Sequence, residues 1–151
     1  ALWAAVNDNR IDVIATDHAP HTLAEKARPY LQSPAGLPLV QHALLTLFEH
    51  VQAGRFTVET VVEKTAHAPA RLFGVHDRGF IREGYWADLV LVDPSSPTHD
   101  DPIYSKCGWS PFDNVVFGAR VRMSWVNGEL RYRDGCFHPG TGGHALEFTR
   151  P

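Results

Sequence analysis

A short apolar segment that ends in charged and imidazole side chains constrains the fold of this chain more than any other stretch. The run from Ile11 to Ala15 is largely apolar, and Asp17, His18 and His21 follow it. This pattern predicts a buried strand over Ile11 to Thr16 that delivers a carboxylate and imidazoles to its carboxyl end. In barrel enzymes that end of a strand carries the chemistry. The alternative is an ordinary strand that ends in a polar, proline-containing turn.

Composition and charge exclude several classes of protein. The chain has 151 residues, of which 44% are hydrophobic and 21% charged, so it can bury the core of one ordinary domain. A net charge of −3 gives no general field for nucleic acid or for an anionic membrane. No apolar run is long enough to span a bilayer, and no signal peptide is visible. Two cysteines do not make a disulfide framework, so we expect reduced thiols and a cytoplasmic location.

The first half of the chain, residues 1 to 73, has helical and strand patterns in alternation. The loop from Ala19 to Pro38 has roughly 20 residues, a length at which loops are usually functional. Apolar spacing predicts a helix over Leu37 to Gln52. Thr57 is the expected N-cap of a helix over Val58 to Thr65, and Pro69 fits the first turn of a further short helix that ends at Gly74.

The second half, residues 74 to 151, has the period of β-strands. Strands are predicted over Ala87 to Val92, over Val115 to Val126 and over Glu129 to Arg133. The pair Asn127-Gly128 between apolar strands predicts a hairpin, and Asp134-Gly135 predicts a second turn. The glycine-rich tail is expected on the surface. A complete (β/α)8 barrel needs about 250 residues, so this chain has room for only one or two of its units.

Three segments, in order along the chain, carry a resemblance to a known family. They are ATDHAPH at Ala15 to His21, SPAGLPLVQHAL at Ser33 to Leu44, and KCGWSPFDN at Lys106 to Asn114, which is followed by VRMSWVNGEL at Val121 to Leu130. Together they resemble the C-terminal portion of a dihydroorotase, in the cyclic-amidohydrolase branch of the amidohydrolase superfamily. The run IREGYWADLVLVDP at Ile81 to Pro94 is similar to a strand found more generally in amidohydrolases.

The resemblance implies an α/β fold made of the C-terminal end of a (β/α)8 TIM-type barrel and strands of the β-sandwich that flanks it. Residues 1 to 73 would then form the last strand and helices of a metal-dependent hydrolase barrel. Residues 74 to 151 would form a β-sandwich segment and the tail. The chain has no initiator methionine and opens inside an apparent helix, so we expect a fragment of a longer protein.

The resemblance also implies a reaction and roles for four residues. The reaction is the reversible hydrolysis of the cyclic amide dihydroorotate to N-carbamoyl-L-aspartate, a step of pyrimidine biosynthesis. Asp17 would be a metal ligand and the general acid and base. His21 would bind the substrate carboxylate, and Ala35 and Gly36 would contact the substrate through main-chain groups, since glycine allows a close approach. Alternatives at these positions are a turn aspartate, a loop histidine and an ordinary turn, and His18 has no direct role by the match.

The expected cofactor is a divalent metal, zinc in the first place, with one or two ions. A catalytic zinc site takes about three protein ligands, so the other ligands would lie upstream of Ala1 and residues 1 to 151 alone are expected to be inactive. The expected partners are a small-molecule substrate and the remainder of the barrel, in the same polypeptide or in a second chain. A homodimer or a complex with a carbamoyltransferase would be compatible with the resemblance.

Two other functions stay open. The first is a hydantoinase or allantoinase relative with the same scaffold, against which the KCGWSPF segment argues. The second is a non-catalytic, dihydroorotase-like scaffold for a carbamoyltransferase, which the retention of Asp17 and His21 disfavours. The remaining histidines show no HxH or HExxH spacing, and Trp109, Trp125 and Trp86 are expected to be packing residues.

Overall fold

A computed structural model describes residues 1 to 98 and 101 to 149, with short helices in the first half of the chain and one antiparallel sheet in the second. The helices are α1 (Leu2–Asn7), α2 (Leu23–Lys26), α3 (Ala43–Gln52), α4 (Val58–Val62) and α5 (Ala68–Leu72), with a 3-10 turn at Val40–His42 and a π-helical turn at Glu63–His67. The strands are β1 (Leu89–Asp93), β2 (Arg120–Val126), β3 (Glu129–Arg133) and β4 (Cys136–Phe137).

A continuous helical run covers residues 58 to 72 and differs from the two separate helices that the sequence predicts. The predicted N-cap is confirmed, since the Oγ1 of Thr57 accepts a hydrogen bond from the Thr60 N–H at 3.1 Å. The π-helical turn then joins α4 to α5, and the Ala68 N–H donates to the carbonyl of Glu63, five residues earlier. Pro69 lies in the first turn of α5, as predicted.

Pro69 has a consequence for the carbonyl of Lys64. In a π-helical turn this carbonyl would be paired with the N–H of residue 69, but proline has no N–H to donate. The carbonyl instead accepts the N–H of Ile14 at 3.0 Å. The Lys64 side chain is buried and its Nζ donates to the Oδ1 of Asn9 at 2.9 Å. The helical run therefore holds the segment that leads to Asp17 at two points.

Residues 11 to 16 do not form a strand, which corrects the prediction made from their apolar pattern. A strand needs a neighbour with which it shares a ladder of hydrogen bonds, and apolar character does not supply one. Within the described residues this segment donates two main-chain hydrogen bonds, from Ile11 to the carbonyl of Ala5 and from Ile14 to that of Lys64, and the only bridge near it pairs His18 with Leu37. The apolar side chains of this segment are partly buried, as the sequence predicts for apolar residues, since Ile11 and Ile14 pack against a hydrophobic cluster.

The sheet has the simple order β1-β2-β3-β4, in which each strand pairs with the next in sequence. The turn between β2 and β3 is the predicted one, with φ angles of 53° at Asn127 and 83° at Gly128 that match a type I′ hairpin. The bounds of β3 agree with the prediction. The strand predicted from Val115 begins only at Arg120, since Phe117 before it forms an isolated bridge with Thr98.

Two hydrophobic clusters meet at α3. The first contains Val6, Leu47, Phe56 and Val61. The second contains Leu45, Phe48, Phe117 and Ala119 and so joins α3 to the segment that enters β2. Because this cluster contains residues from both predicted parts, the division at residue 73 stays a prediction.

The glycine-rich tail is exposed, as expected, but it is anchored near its end. Phe148 forms an antiparallel bridge with Val75, and the Thr149 N–H donates to the carbonyl of Gly74 at 2.8 Å. In the part of the chain that the structure describes, no helix has both the length and the apolar character needed to cross a bilayer.

Candidate functional site

The loop that follows Asp17 and the loop that carries Ala35 and Gly36 lie side by side. His18 and Leu37 form a parallel bridge, in which the Ala19 N–H donates to the carbonyl of Leu37 at 2.9 Å. The ATDHAPH and SPAGLPLVQHAL motifs thus meet through their main chains. This juxtaposition defines the candidate site as residues 17 to 21 together with residues 35 to 37.

Asp17 is exposed and has a left-handed backbone, with a φ of 47°. Aspartate adopts this conformation more readily than most residues, but it is uncommon outside glycine and often marks a functional position. Within the described ranges, no hydrogen bond or ion pair is formed by its carboxylate. Because the residue is exposed, its side chain is open to a ligand from outside the chain.

His18 has a structural contact. Its Nδ1 accepts the N–H of Val40 at 3.2 Å, at the start of the 3-10 turn that leads into α3. An acceptor Nδ1 requires the neutral tautomer with its proton on Nε2. This contact links the residue after Asp17 to the 3-10 turn that follows the second loop.

His21 is half-buried, and both of its flanking peptide groups are bonded. Its N–H donates to the carbonyl of Ala19 at 2.9 Å, and its carbonyl accepts the indole N–H of Trp109 at 2.7 Å. Its Nδ1 lies 4.0 Å from an oxygen of Glu25. The backbone of this residue is thus fixed while its ring faces a carboxylate.

Glu25 belongs to a capping box at the start of α2. The Thr22 N–H and hydroxyl both donate to the Glu25 carboxylate, at 2.8 and 2.9 Å, and the Thr22 Oγ1 accepts the Glu25 N–H. The hydrogen bond from the Thr22 main chain, then that from its side chain, lowers the pKa of Glu25. Glu25 is therefore an anion beside the His21 ring.

Packing requires a glycine at position 36, and the predicted substrate contact of Gly36 stays a prediction. Its φ is 94°, and a Cβ at this position would lie 2.5 Å from the Cβ of Ala19. Its carbonyl accepts a hydrogen bond from the Nζ of Lys26 at 3.1 Å, and the carbonyl of Pro34 accepts a second at 2.8 Å. The glycine therefore permits the two loops to touch, and its carbonyl already has a partner within the protein.

Sequence reasoning missed Lys26, which fastens the second loop to α2 through these two bonds. The signal that could have pointed to α2 is the spacing Thr22-x-x-Glu25, a capping box directly after the ATDHAPH motif. The same reasoning placed Trp109 among packing residues. The structure adds a hydrogen bond from its indole to the candidate site.

The described residues supply one plausible metal ligand, Asp17. Among residues 1 to 98 and 101 to 149, no group of three His, Cys, Asp or Glu side chains is close enough to hold a metal ion. Carboxylate oxygen is a suitable donor for a divalent cation, but a catalytic zinc site needs about three protein ligands. Residues 1 to 98 and 101 to 149 by themselves therefore do not fit a complete catalytic metal site.

Two hollows on the surface lie away from Asp17 and His21. One is lined by Asn9, Asp12, Glu63, Lys64 and Arg71, among others. The other lies beside Arg78, Phe80 and Arg82. Neither is lined by the residues that the motifs single out.

His42 is buried where α3 meets the segment from Ser105 to Phe117. Its ring stacks on Phe117 at a centroid distance of 5.6 Å, and its Nδ1 is 3.1 Å from the Oγ of Ser110. Burial, opposed in part by the charge of Asp101, lowers the pKa of His42. The neutral ring is therefore the form that this packing stabilises.

We expect the protein to lose stability on acidification in a way that depends on His42. Because the folded pKa is depressed, the stabilisation is complete above the unfolded pKa of about 6.5 and is lost as the pH falls below it. Thermal midpoints measured from pH 8 to pH 5 should fall less steeply for His42→Leu. His138→Leu, at an exposed position, is the control, and equal slopes for His42→Leu and the unsubstituted protein would contradict this assignment.

The chain was compared with known proteins. A model of the amidohydrolase family matches residues 41 to 132. The chain is 45% identical over 130 residues to a dihydroorotase of Halobacterium salinarum, an alignment that covers 85% of this chain and 31% of that protein. The chain thus spans about a third of the length of this curated relative.

Solved structures give a consistent fold. A D-hydantoinase (dihydropyrimidinase) from Thermus sp. superimposes with a TM-score of 0.82 at 27% identity, over 92% of this chain and 32% of that one. An inactive dihydroorotase-like domain of a CAD-like multifunctional protein from Chaetomium thermophilum superimposes with a TM-score of 0.64 at 24% identity, over 91% and 36% of the two chains. The expected α/β amidohydrolase fold is confirmed, and the fold alone does not separate active from inactive proteins.

Proposed function

This chain belongs to the amidohydrolase family, and we propose that it forms the C-terminal part of a cyclic amidohydrolase that hydrolyses dihydroorotate to N-carbamoyl-L-aspartate. The observation that carries this proposal is the 45% identity to a dihydroorotase over 130 residues. It is supported by the contact between the Asp17 loop and the Gly36 loop, which places the two groups of proposed site residues together. The remaining ligands and substrate contacts would come from the rest of the barrel.

The chemistry needs a proton carrier next to the scissile amide. Water is a poor nucleophile and an amide a poor electrophile near neutral pH, and a bound divalent metal, zinc in the first place, would supply Lewis-acid activation of both. Asp17 would provide one ligand to that metal. Its carboxylate would also accept the proton of the attacking water and return it to the departing ring nitrogen. The exposed position of Asp17 is compatible with these two roles.

His21 would bind the carboxylate of the substrate. An imidazole N–H can donate a hydrogen bond to an anionic oxygen. The Glu25 carboxylate, 4.0 Å from the His21 Nδ1, would favour one orientation of the ring. The N–H groups of Ala35 and Gly36 would add main-chain donors at the opposite side, since the Gly36 carbonyl is held by Lys26.

A chimera tests the proposal. In it, residues 1 to 151 replace the matching third of the Halobacterium salinarum dihydroorotase, so that the other metal ligands come from the host. We expect the chimera to hydrolyse dihydroorotate in a metal-dependent way and the 151-residue chain alone to show no turnover. Turnover by the isolated chain, or a folded chimera that binds metal but neither hydrolyses nor binds dihydroorotate, would contradict the proposal.

A hydantoinase is the second candidate, because the Thermus D-hydantoinase has the same fold at 27% identity. Hydantoin and dihydrouracil lack the carboxylate for which we propose His21. The chimera should therefore be assayed with dihydroorotate and with dihydrouracil in parallel. Preference for dihydrouracil would favour the hydantoinase and would remove the proposed role of His21.

A further inference from the structure

The indole of Trp109 is bonded to the candidate site from 88 residues away in the sequence. Its Nε1 donates to the His21 carbonyl at 2.7 Å, which is a short distance for an N–H donor. An indole has one donor and no acceptor, so this bond is the only hydrogen bond that its side chain can make. Trp109 is only partly buried. Its single hydrogen bond goes to a main-chain oxygen of the candidate site, that of His21.

The segment around Trp109 is itself fastened to the start of the α3 region. The Gln41 side chain donates to the carbonyl of Pro102 and accepts the N–H of Tyr104, both at 2.9 Å. Closer to the tryptophan, the Oγ of Ser110 contacts His42 at 3.1 Å. Gln41 and His42 follow directly on the loop that carries Gly36. The position of the indole is thus set by the same element that ends the second site loop.

The bonds around His21 restrict its backbone on both sides. Pro20 has a fixed φ, and the His21 N–H is held by the carbonyl of Ala19. On the other side, Trp109 holds the His21 carbonyl. The two side-chain torsions of His21 are then the main freedom left to this residue. The Glu25 carboxylate favours the ring orientation in which Nδ1 faces that carboxylate.

We infer that Trp109 is a positioning residue that holds His21 in place for the carboxylate of the substrate. This inference rests on the proposed function, because it needs His21 to bind that carboxylate. A residue whose backbone is fixed before binding loses less conformational freedom when the ligand arrives, so the affinity for the ligand rises. Asp17 would carry out the proton transfer, and among the described residues no hydrogen bond joins it to Trp109, so we expect the chemical step to be independent of the indole.

The test is Trp109→Phe in the chimera, which keeps an aromatic ring and removes the N–H. We expect the KM for dihydroorotate and the Kd for N-carbamoyl-L-aspartate, measured by calorimetry, to rise about fivefold, as for one lost hydrogen bond. The kcat should stay within about twofold, because the group lost acts in binding only. Trp86→Phe is the matched control, since Trp86 stacks on His144 at 5.0 Å and is half exposed. It should leave both constants unchanged.

Each other outcome has a distinct meaning. A folded Trp109→Phe protein with an unchanged Kd overturns the inference and leaves the proposed function intact. A lowered thermal midpoint and kcat with an unchanged KM shows a structural role only and also overturns it. If the unsubstituted chimera binds no carboxylate ligand, the proposed function fails and the inference fails with it.

A second variant covers the case in which Trp109→Phe does not fold. Gln41→Ala removes the two hydrogen bonds that fasten Pro102 and Tyr104 to the 3-10 turn and keeps the indole itself. We expect it to raise the Kd in the same direction by a smaller factor, about twofold to threefold. An unchanged Kd in a folded Gln41→Ala protein would overturn the inference as well.

Discussion

Replacing Asp17 by asparagine in the chimera is expected to lower kcat by about 10²- to 10⁴-fold, the usual contribution of a general acid and base. Asparagine removes the charge and one oxygen, so it can neither carry the proton nor serve as an equivalent metal ligand. It also tolerates the left-handed backbone found here, with a φ of 47°, so that the fold is retained. Alanine at this position would combine the chemical loss with backbone strain and is the less informative change.

The matched control is Asp12→Asn, which removes an exposed carboxylate of the same segment. It should leave kcat unchanged. Steady-state assays and a metal titration of both variants separate the roles of Asp17, because a lost ligand lowers the metal content as well as the rate. A near-normal rate for Asp17→Asn would show that the mechanism assigned to Asp17 is wrong.

Gly36→Ala is expected to separate the two site loops and to lower stability by about 2 to 4 kcal/mol, the sum of a strained backbone and an overpacked contact. The added Cβ would lie 2.5 Å from the Cβ of Ala19, and neither atom belongs to a flexible side chain that could move aside. The bridge between His18 and Leu37 would then weaken. Activity should fall together with stability.

Gly84→Ala isolates the contribution of the backbone. Gly84 has a comparable φ of 82°, but a Cβ there would meet nothing within 4 Å. Its substitution should cost about 1 kcal/mol and leave activity intact. Urea unfolding of the two chimeras gives the comparison, and equal losses of stability would show that the contact with Ala19 contributes nothing.

Local signals predicted local structure well. The turn at Asn127-Gly128, the N-cap at Thr57 and the position of Pro69 each depend on residues within one or two turns, and each is found where the sequence places it. The bounds of β3 agree for the same reason, since a tight hairpin fixes where its returning strand begins.

Features that depend on distant residues were harder to predict. The segment from residue 11 to residue 16 has the composition of a strand, yet a strand needs a neighbouring strand with which to form a ladder. This segment bonds to the carbonyl of Lys64 in a helical turn and has no such ladder among the described residues. The π-helical turn could not be predicted from Pro69 alone, because it also depends on the bond between the Lys64 carbonyl and the distant N–H of Ile14. At the candidate site, the motif identified Asp17 and His21, whereas Lys26 and Trp109 were missed because their partners are main-chain oxygens.

The strictly sequential order of the sheet bears on the kinetics of folding. Strands β2, β3 and β4 are joined by two-residue turns, so their pairing closes only short loops and costs little entropy. The bond between Trp109 and His21 closes a loop of 88 residues, and the bridge between His18 and Leu37 also links separate segments. The sheet can therefore form without the candidate site, whereas the site depends on contacts of high sequence separation, which are the slow ones to establish.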